Sequence, residues 1–96
     1  MVEISIGKPY KQVVEDDYIM REFSGDVDES ELIWHRDKKT RKVIVIQGEG
    51  WKLQMDNALP EKLEEGREYH IPKMEYHRII KGKGNLLLQI QENNYD

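Results

Sequence analysis

A chain of 96 residues with a formal net charge of −4, 38% hydrophobic residues and no cysteine has room for one domain and no disulfide or thiolate-metal site. The acidic balance argues against nucleic acid as a partner, because phosphate binding rests on a cationic surface. No apolar run approaches the roughly 20 residues of a membrane span and residues 1–20 lack a signal-peptide core, so a soluble, mature-length cytoplasmic protein is expected.

From the N-terminus, Pro9 can open a short helix carrying Tyr10, Val13 and Val14 on one face. Residues 18–23 (YIMREF) alternate as a strand does, and 24–30 (SGDVDES) read as a loop. Residues 1–30 are therefore expected to form an N-terminal extension packed on a barrel of residues 31–96. Eight acids, Glu15, Asp16, Asp17, Glu22, Asp26, Asp28, Glu29 and Glu31, face one cation, Arg21, in this stretch. Arg36, Lys38, Lys39, Arg41 and Lys42 follow, a pattern that predicts internal pairing.

From residue 31 onward, short strands are separated by turn signals at the spacing of a sandwich or barrel. Leu32–Asp37 is β-rich. Lys42–Gln47 holds four β-branched residues in a row, the signature of a strand covered on both faces. Trp51, Leu53 and Met55 alternate with Lys52, Gln54 and Asp56, so that strand has one wet face. Turns are expected near 56–60 and 64–66, then strands over Tyr69–Ile71 and Tyr76–Ile80, a turn at 81–85 and a last strand over Asn85–Gln91. Closing such a sheet removes exposed edges from a short chain.

Parity within 33–37 supplies the chemistry. Positions two apart share a face, so Ile33, His35 and Asp37 point one way and Trp34 and Arg36 the other. An imidazole and a carboxylate at i and i+2 are placed to hold one ion. A third ligand must come from a neighbouring strand, and His77 is the candidate, with His70, next to Pro72, the weaker choice. Two imidazoles and a carboxylate with open positions suit Fe, Mn, Zn or Ni. Residues 35–37 also spell HRD, but neither a glycine-rich loop nor a DFG accompanies it, so no kinase is implied. The acids after Asp26 lack the central glycine of a calcium loop. Trp34 and Trp51 read as core or dimer-contact area.

Two stretches resemble the motifs of the cupin superfamily, roughly G-x5-H-x-H-x3/4-E-x6-G and G-x5-P-x-G-x2-H-x3-N. The first is matched by His35, Asp37, Arg41 and Gly48, with Asp37 in place of a histidine and Arg41 in place of the glutamate. The second is matched by Gly66, Pro72 and His77, with Met74 in place of a glycine and Lys81 in place of the asparagine. The resemblance covers about residues 31–91. It implies a small all-β, cupin-like antiparallel barrel or jelly roll with a divalent metal at His35, Asp37 and His77. It further implies a small-molecule ligand oriented by Arg41, Tyr69 and Tyr76, and a metal-dependent oxygenase or isomerase as the enzyme reading. Arginine cannot coordinate a cation, so Arg41 is expected to bond Asp37 or to bind a substrate carboxylate. The alternative is a metal-free ligand-binding or structural module held by an internal Arg41–Asp37 pair. Homodimerisation suits either, since a small barrel gains apolar burial by it.

Overall fold

A computed structural model describes residues 2–3 and 8–93. Nine strands run through them: β1 (Val2–Glu3), β2 (Tyr10–Val14), β3 (Ile19–Phe23), β4 (Arg41–Glu49), β5 (Lys52–Met55), β6 (Glu61–Lys62), β7 (Glu68–Ile71), β8 (His77–Ile80) and β9 (Lys83–Glu92). Among the described residues the only helical turn is a 3-10 turn over Glu29–Glu31. All pairings are antiparallel, in a six-stranded sheet of order β1-β2-β3-β9-β4-β7 and a three-stranded sheet of order β6-β5-β8. This is the all-β, antiparallel, cupin-like architecture that the motifs implied.

The core forms where inward-facing residues of the two sheets meet. The larger sheet gives Phe23, Val43, Val45, Tyr69, Ile71, Leu86, Leu88 and Ile90, and the smaller sheet and its flanks give Trp51, Leu53 and Leu63. Trp51, Leu86 and Val45 are fully buried. The Trp51 indole N–H donates to the Gly84 carbonyl at 3.2 Å, so this large ring enters the core with its polar atom satisfied. The backbone around Trp51 leaves no room for a side chain at Gly82, where a Cβ would overlap the Glu49 carbonyl oxygen and the Trp51 amide.

Four sequence expectations are corrected. Residues 10–14 form β2 rather than a helix. Tyr10 through Val14 pair residue for residue with Phe23 through Ile19, and Tyr10 meets Phe23 edge-on at 5.4 Å, so tertiary pairing overrides the weak helical pattern. Pro9, which has no N–H to give a ladder, stands just outside the strand. Residues 32–37 make only one bridge, at His35. Just before that segment the Asp28 side chain caps the 3-10 turn by accepting from the Ser30 N–H at 2.9 Å, and the Leu32 N–H donates to the Glu29 carbonyl, so the chain enters it from a turn rather than from a ladder. Strand β4 is covered on one face, not two: Val43 and Val45 are buried, whereas Ile46 is 44% exposed. A two-layer sandwich has only one inner face for each strand.

The fourth correction concerns charge. Among the described residues, ion pairs draw their acids from Asp37, Glu64, Glu68 and Glu92, not from the acidic stretch at 15–31. Most of those acids are exposed. Strands β1 to β3 lie at one side of the large sheet, with β3 paired to β9.

The two tryptophans should separate cleanly. Trp51→Ala removes a fully buried ring and its hydrogen bond, and should lower stability by about 3–5 kcal/mol. Trp34, 40% exposed, should cost less than about 1 kcal/mol as Trp34→Ala. Urea unfolding of both variants followed by circular dichroism checks this order, and equal losses would contradict it.

Candidate metal centre

His35 and His77 meet through the backbone. The His35 N–H donates to the His77 carbonyl at 2.9 Å and the His77 N–H to the His35 carbonyl at 2.8 Å. In such a directly opposed antiparallel pair both side chains project from the same face. The imidazole centroids accordingly lie 4.3 Å apart, at 60° to each other. Two residues on, Asp37 returns to that face. Its carbonyl accepts from the Met74 N–H at 2.7 Å, which closes the segment against the turn before β8. That turn places Met74 at φ 64, the left-handed conformation that explains why the motif it resembles has glycine there.

One ligand atom from each of His35, Asp37 and His77 lies within 4.8 Å of the other two. Ligands held about 2.1 Å from one ion sit roughly 3–4 Å apart, so small side-chain adjustments close the set. The donor chemistry fits. Each imidazole uses Nδ1 on a backbone carbonyl two residues before it, His35 on Ile33 at 3.1 Å and His77 on Glu75 at 2.9 Å. A neutral imidazole that donates through Nδ1 carries its lone pair on Nε2, the tautomer a metal ligand needs.

The carboxylate is divided in the same sense. Asp37 Oδ1 is 3.3 Å from Arg41 Nη1. Asp37 Oδ2 is 3.3 Å from His77 Nε2, yet this buried oxygen has no hydrogen-bond partner. The tautomer gives the reason: with the His77 proton on Nδ1, both Nε2 and Oδ2 are acceptors. A buried lone pair facing a buried lone pair is costly unless something positive lies between them. A divalent ion satisfies both, and Fe, Mn, Zn and Ni all accept this N, N, O set.

Arg41, expected to bond Asp37, does so and also grips Glu92. Its Nε and Nη2 donate to Glu92 Oε2 at 3.1 and 2.9 Å. Burial tends to raise the Asp37 carboxyl, but the surrounding positive charge, that of Arg41 included, outweighs it and holds Asp37 below the ordinary carboxylate value. His35 is shifted below the ordinary imidazole value, chiefly by burial, with the Ile33 bond opposing. Residue 35 as a whole is solvent-accessible, which keeps that shift modest in stability terms.

His35, Asp37 and His77 stand in the wall of a cavity of about 500 Å3, whose apolar part includes Phe23, Leu53, Leu63, Ile79, Leu88 and Ile90. Tyr69 and Tyr76, expected to orient a ligand, do not line it. Tyr69 is buried, and its hydroxyl donates to the Lys62 carbonyl at 2.7 Å while accepting from the Glu64 N–H at 2.8 Å. Tyr76 is 44% exposed, with the Arg36 guanidinium 5.1 Å from its ring centre. Arg21, Tyr10 and Glu92 were not singled out by the sequence. The alternation of YIMREF, which puts Arg21 on the face of Ile19 and Phe23, was the available signal for Arg21. Arg21 lies over the Tyr10 ring at 3.9 Å, and burial lowers its ordinarily very high pKa.

No protein-family model matches the sequence, and none of the curated proteins does. Solved structures do match. A cupin-like protein from Thermotoga maritima is 18% identical, with 90% of this chain and 68% of that one covered at a TM-score of 0.66. A cupin-2 domain-containing protein from Shewanella frigidimarina is 22% identical, covering 84% and 76% at 0.59. A cupin domain from Bordetella pertussis is 14% identical, covering 90% and 95% at 0.59. The chain has the cupin fold.

The shifts at His35 and Asp37 both contribute to the acid sensitivity of the metal-free protein. His35 binds its proton less readily folded than unfolded, so stability should decline as pH falls below about 6.5. Asp37 holds its proton less readily folded, so its contribution is whole above about 3.9 and is lost as pH falls through the lower folded value. Urea midpoints from pH 8 to 3 should show both phases. His35→Gln should flatten the upper one and Asp37→Asn the lower, and unchanged profiles would contradict the assignment.

Proposed function

We propose that this cupin-fold chain holds a divalent metal ion at His35, Asp37 and His77 and binds a small molecule in the adjoining cavity. The observation that carries the reading is the unpartnered Asp37 Oδ2 beside the His77 Nε2 lone pair, at the one place among the described residues where three ligand atoms converge. The ion would supply Lewis-acid polarisation of a carbonyl or enol, or a site for dioxygen, which are the isomerase and oxygenase readings. The chain's own residues do the rest. His35 and His77 present Nε2 because their Nδ1 protons are committed to Ile33 and Glu75. Arg41 steadies the ligand carboxylate through Oδ1 without occupying Oδ2. The apolar wall excludes water from the ligand's far side.

The Arg41–Asp37 ion pair favours the second reading, a metal-free binding module. That reading leaves the Asp37 Oδ2 and His77 Nε2 lone pairs opposed, and so it ranks second.

Purified protein incubated with Fe(II), Mn(II), Zn(II) or Ni(II), then freed of excess ion, should retain close to one equivalent of at least one of them. His77→Ala should lose it. Arg41→Gln should keep it with affinity lowered roughly 10–100-fold, as expected for loss of an outer-shell partner. No retained metal with any of the four ions would establish the metal-free module instead.

A further inference from the structure

The geometry points to a small carboxylate as the cavity's ligand, its two oxygens received by Arg21; this rests on the proposed reading of the cavity as a small-molecule site. Among the described residues Arg21 is a cavity-lining guanidinium with no acid paired to it. Its Nε and Nη2 both donate to the single oxygen Gln12 Oε1, at 3.2 and 2.9 Å, and its face rests on the Tyr10 ring. Those contacts use one edge and one face of a planar group with five N–H donors. The remaining edge, Nη1 together with the second Nη2 proton, has no partner among the described residues. That edge is the fork that matches a carboxylate bidentately.

Arg41, the cation that the motif comparison offered for a substrate carboxylate, is already committed. It is spread over Asp37 and Glu92, three of its donor contacts ending on protein oxygens. The anion site therefore moves from Arg41 to Arg21. The surrounding charge agrees. Lys8, Arg21, Arg36 and Arg41 line the cavity against Glu31 and Asp37, in a chain whose overall charge is −4. A cationic wall over an apolar floor selects an organic anion with an apolar body, the floor taking the body and Arg21 the charge.

The test uses phenylacetate, its neutral analogue phenylacetamide, and phenyl phosphate. Each is titrated by calorimetry into metal-free protein, so that no ion can bind the anion directly, and then into metal-loaded protein. Phenylacetate should bind at least tenfold more tightly than phenylacetamide. Arg21→Gln should abolish that preference, and Arg21→Lys, which keeps the charge and loses the fork, should recover only part of it. Metal content of the same variants should stay at the wild-type level. Equal affinity for acid and amide, or a preference that survives Arg21→Gln, would overturn the inference. Tighter binding of phenyl phosphate than of phenylacetate would overturn the carboxylate assignment. Should Arg21→Gln not fold, the acid–amide comparison on the wild-type protein and Arg21→Lys still decide. Failure of metal retention with an Arg21-dependent preference intact would sink the metal reading alone, and the reverse result would sink this one alone.

Discussion

Two reciprocal backbone hydrogen bonds between His35 and His77, at 2.9 and 2.8 Å, hold the rest of the site in place. Residues 32–37 form no named strand, and His35 is their single bridge to a sheet. That one contact fixes which face both imidazoles occupy, because opposed antiparallel residues project together. The i+2 rule then carries Asp37 to the same side. A bond from the Met74 N–H to the Asp37 carbonyl closes the arrangement. The cluster is thus a product of backbone pairing, and the side chains need no long reach to meet.

Charge is distributed around that cluster so that each group has a separate task. Asp37 gives Oδ1 to Arg41 and leaves Oδ2 without a hydrogen-bond partner. Arg41 in turn stands directly across from Glu92 in the ladder between β4 and β9. Where the resembled motif has a glutamate, this chain has an arginine, and an acid stands on the adjoining strand. The pair places positive charge against the Asp37 carboxylate and compensates it from behind with Glu92. Such a carboxylate stays ionised and oriented, which a ligand requires. An arginine without Glu92 behind it would repel a cation more strongly than this one does.

How legible this was from the sequence depended on what each signal required. Strands β4, β5, β7, β8 and β9 were readable because a period of two, bounded by Gly66, Pro72 and the turns around Asn57 and Gly82, has few other solutions, whereas the two-residue β6 is too short to show a period. The histidine pair was readable from parity joined to motif spacing. Residues 10–14 were not, since five residues after a proline satisfy a helical or an extended pattern equally, and only the partner strand 19–23 decides. Tyr69 was misjudged for a similar reason. Its position beside the motif said nothing of its hydroxyl, which two backbone groups across the hairpin turn claim. Arg21 was hidden because it is the one cation in a stretch with eight acids, whereas its neighbours in space are Tyr10, Gln12 and the cavity.

Arg21 and Arg41 show why net charge is a poor guide to a cavity. A chain of charge −4 repels nucleic acid at long range, yet the field inside a low-dielectric recess is set by the few groups that line it. Removing a guanidinium from water costs several kcal/mol, a large share of the roughly 5–15 kcal/mol that holds a domain together. Arg41 offsets that cost with two acids. Arg21 has hydrogen bonds to a neutral amide and a ring face, and Asp37 and Glu92 act on it without forming an ion pair. A leucine on the same face would extend the apolar floor formed by Phe23, Leu88 and Ile90 and cost nothing in desolvation. Folding alone therefore does not call for an arginine at this position, and the carboxylate proposed for the cavity would meet the guanidinium edge that the fold leaves open.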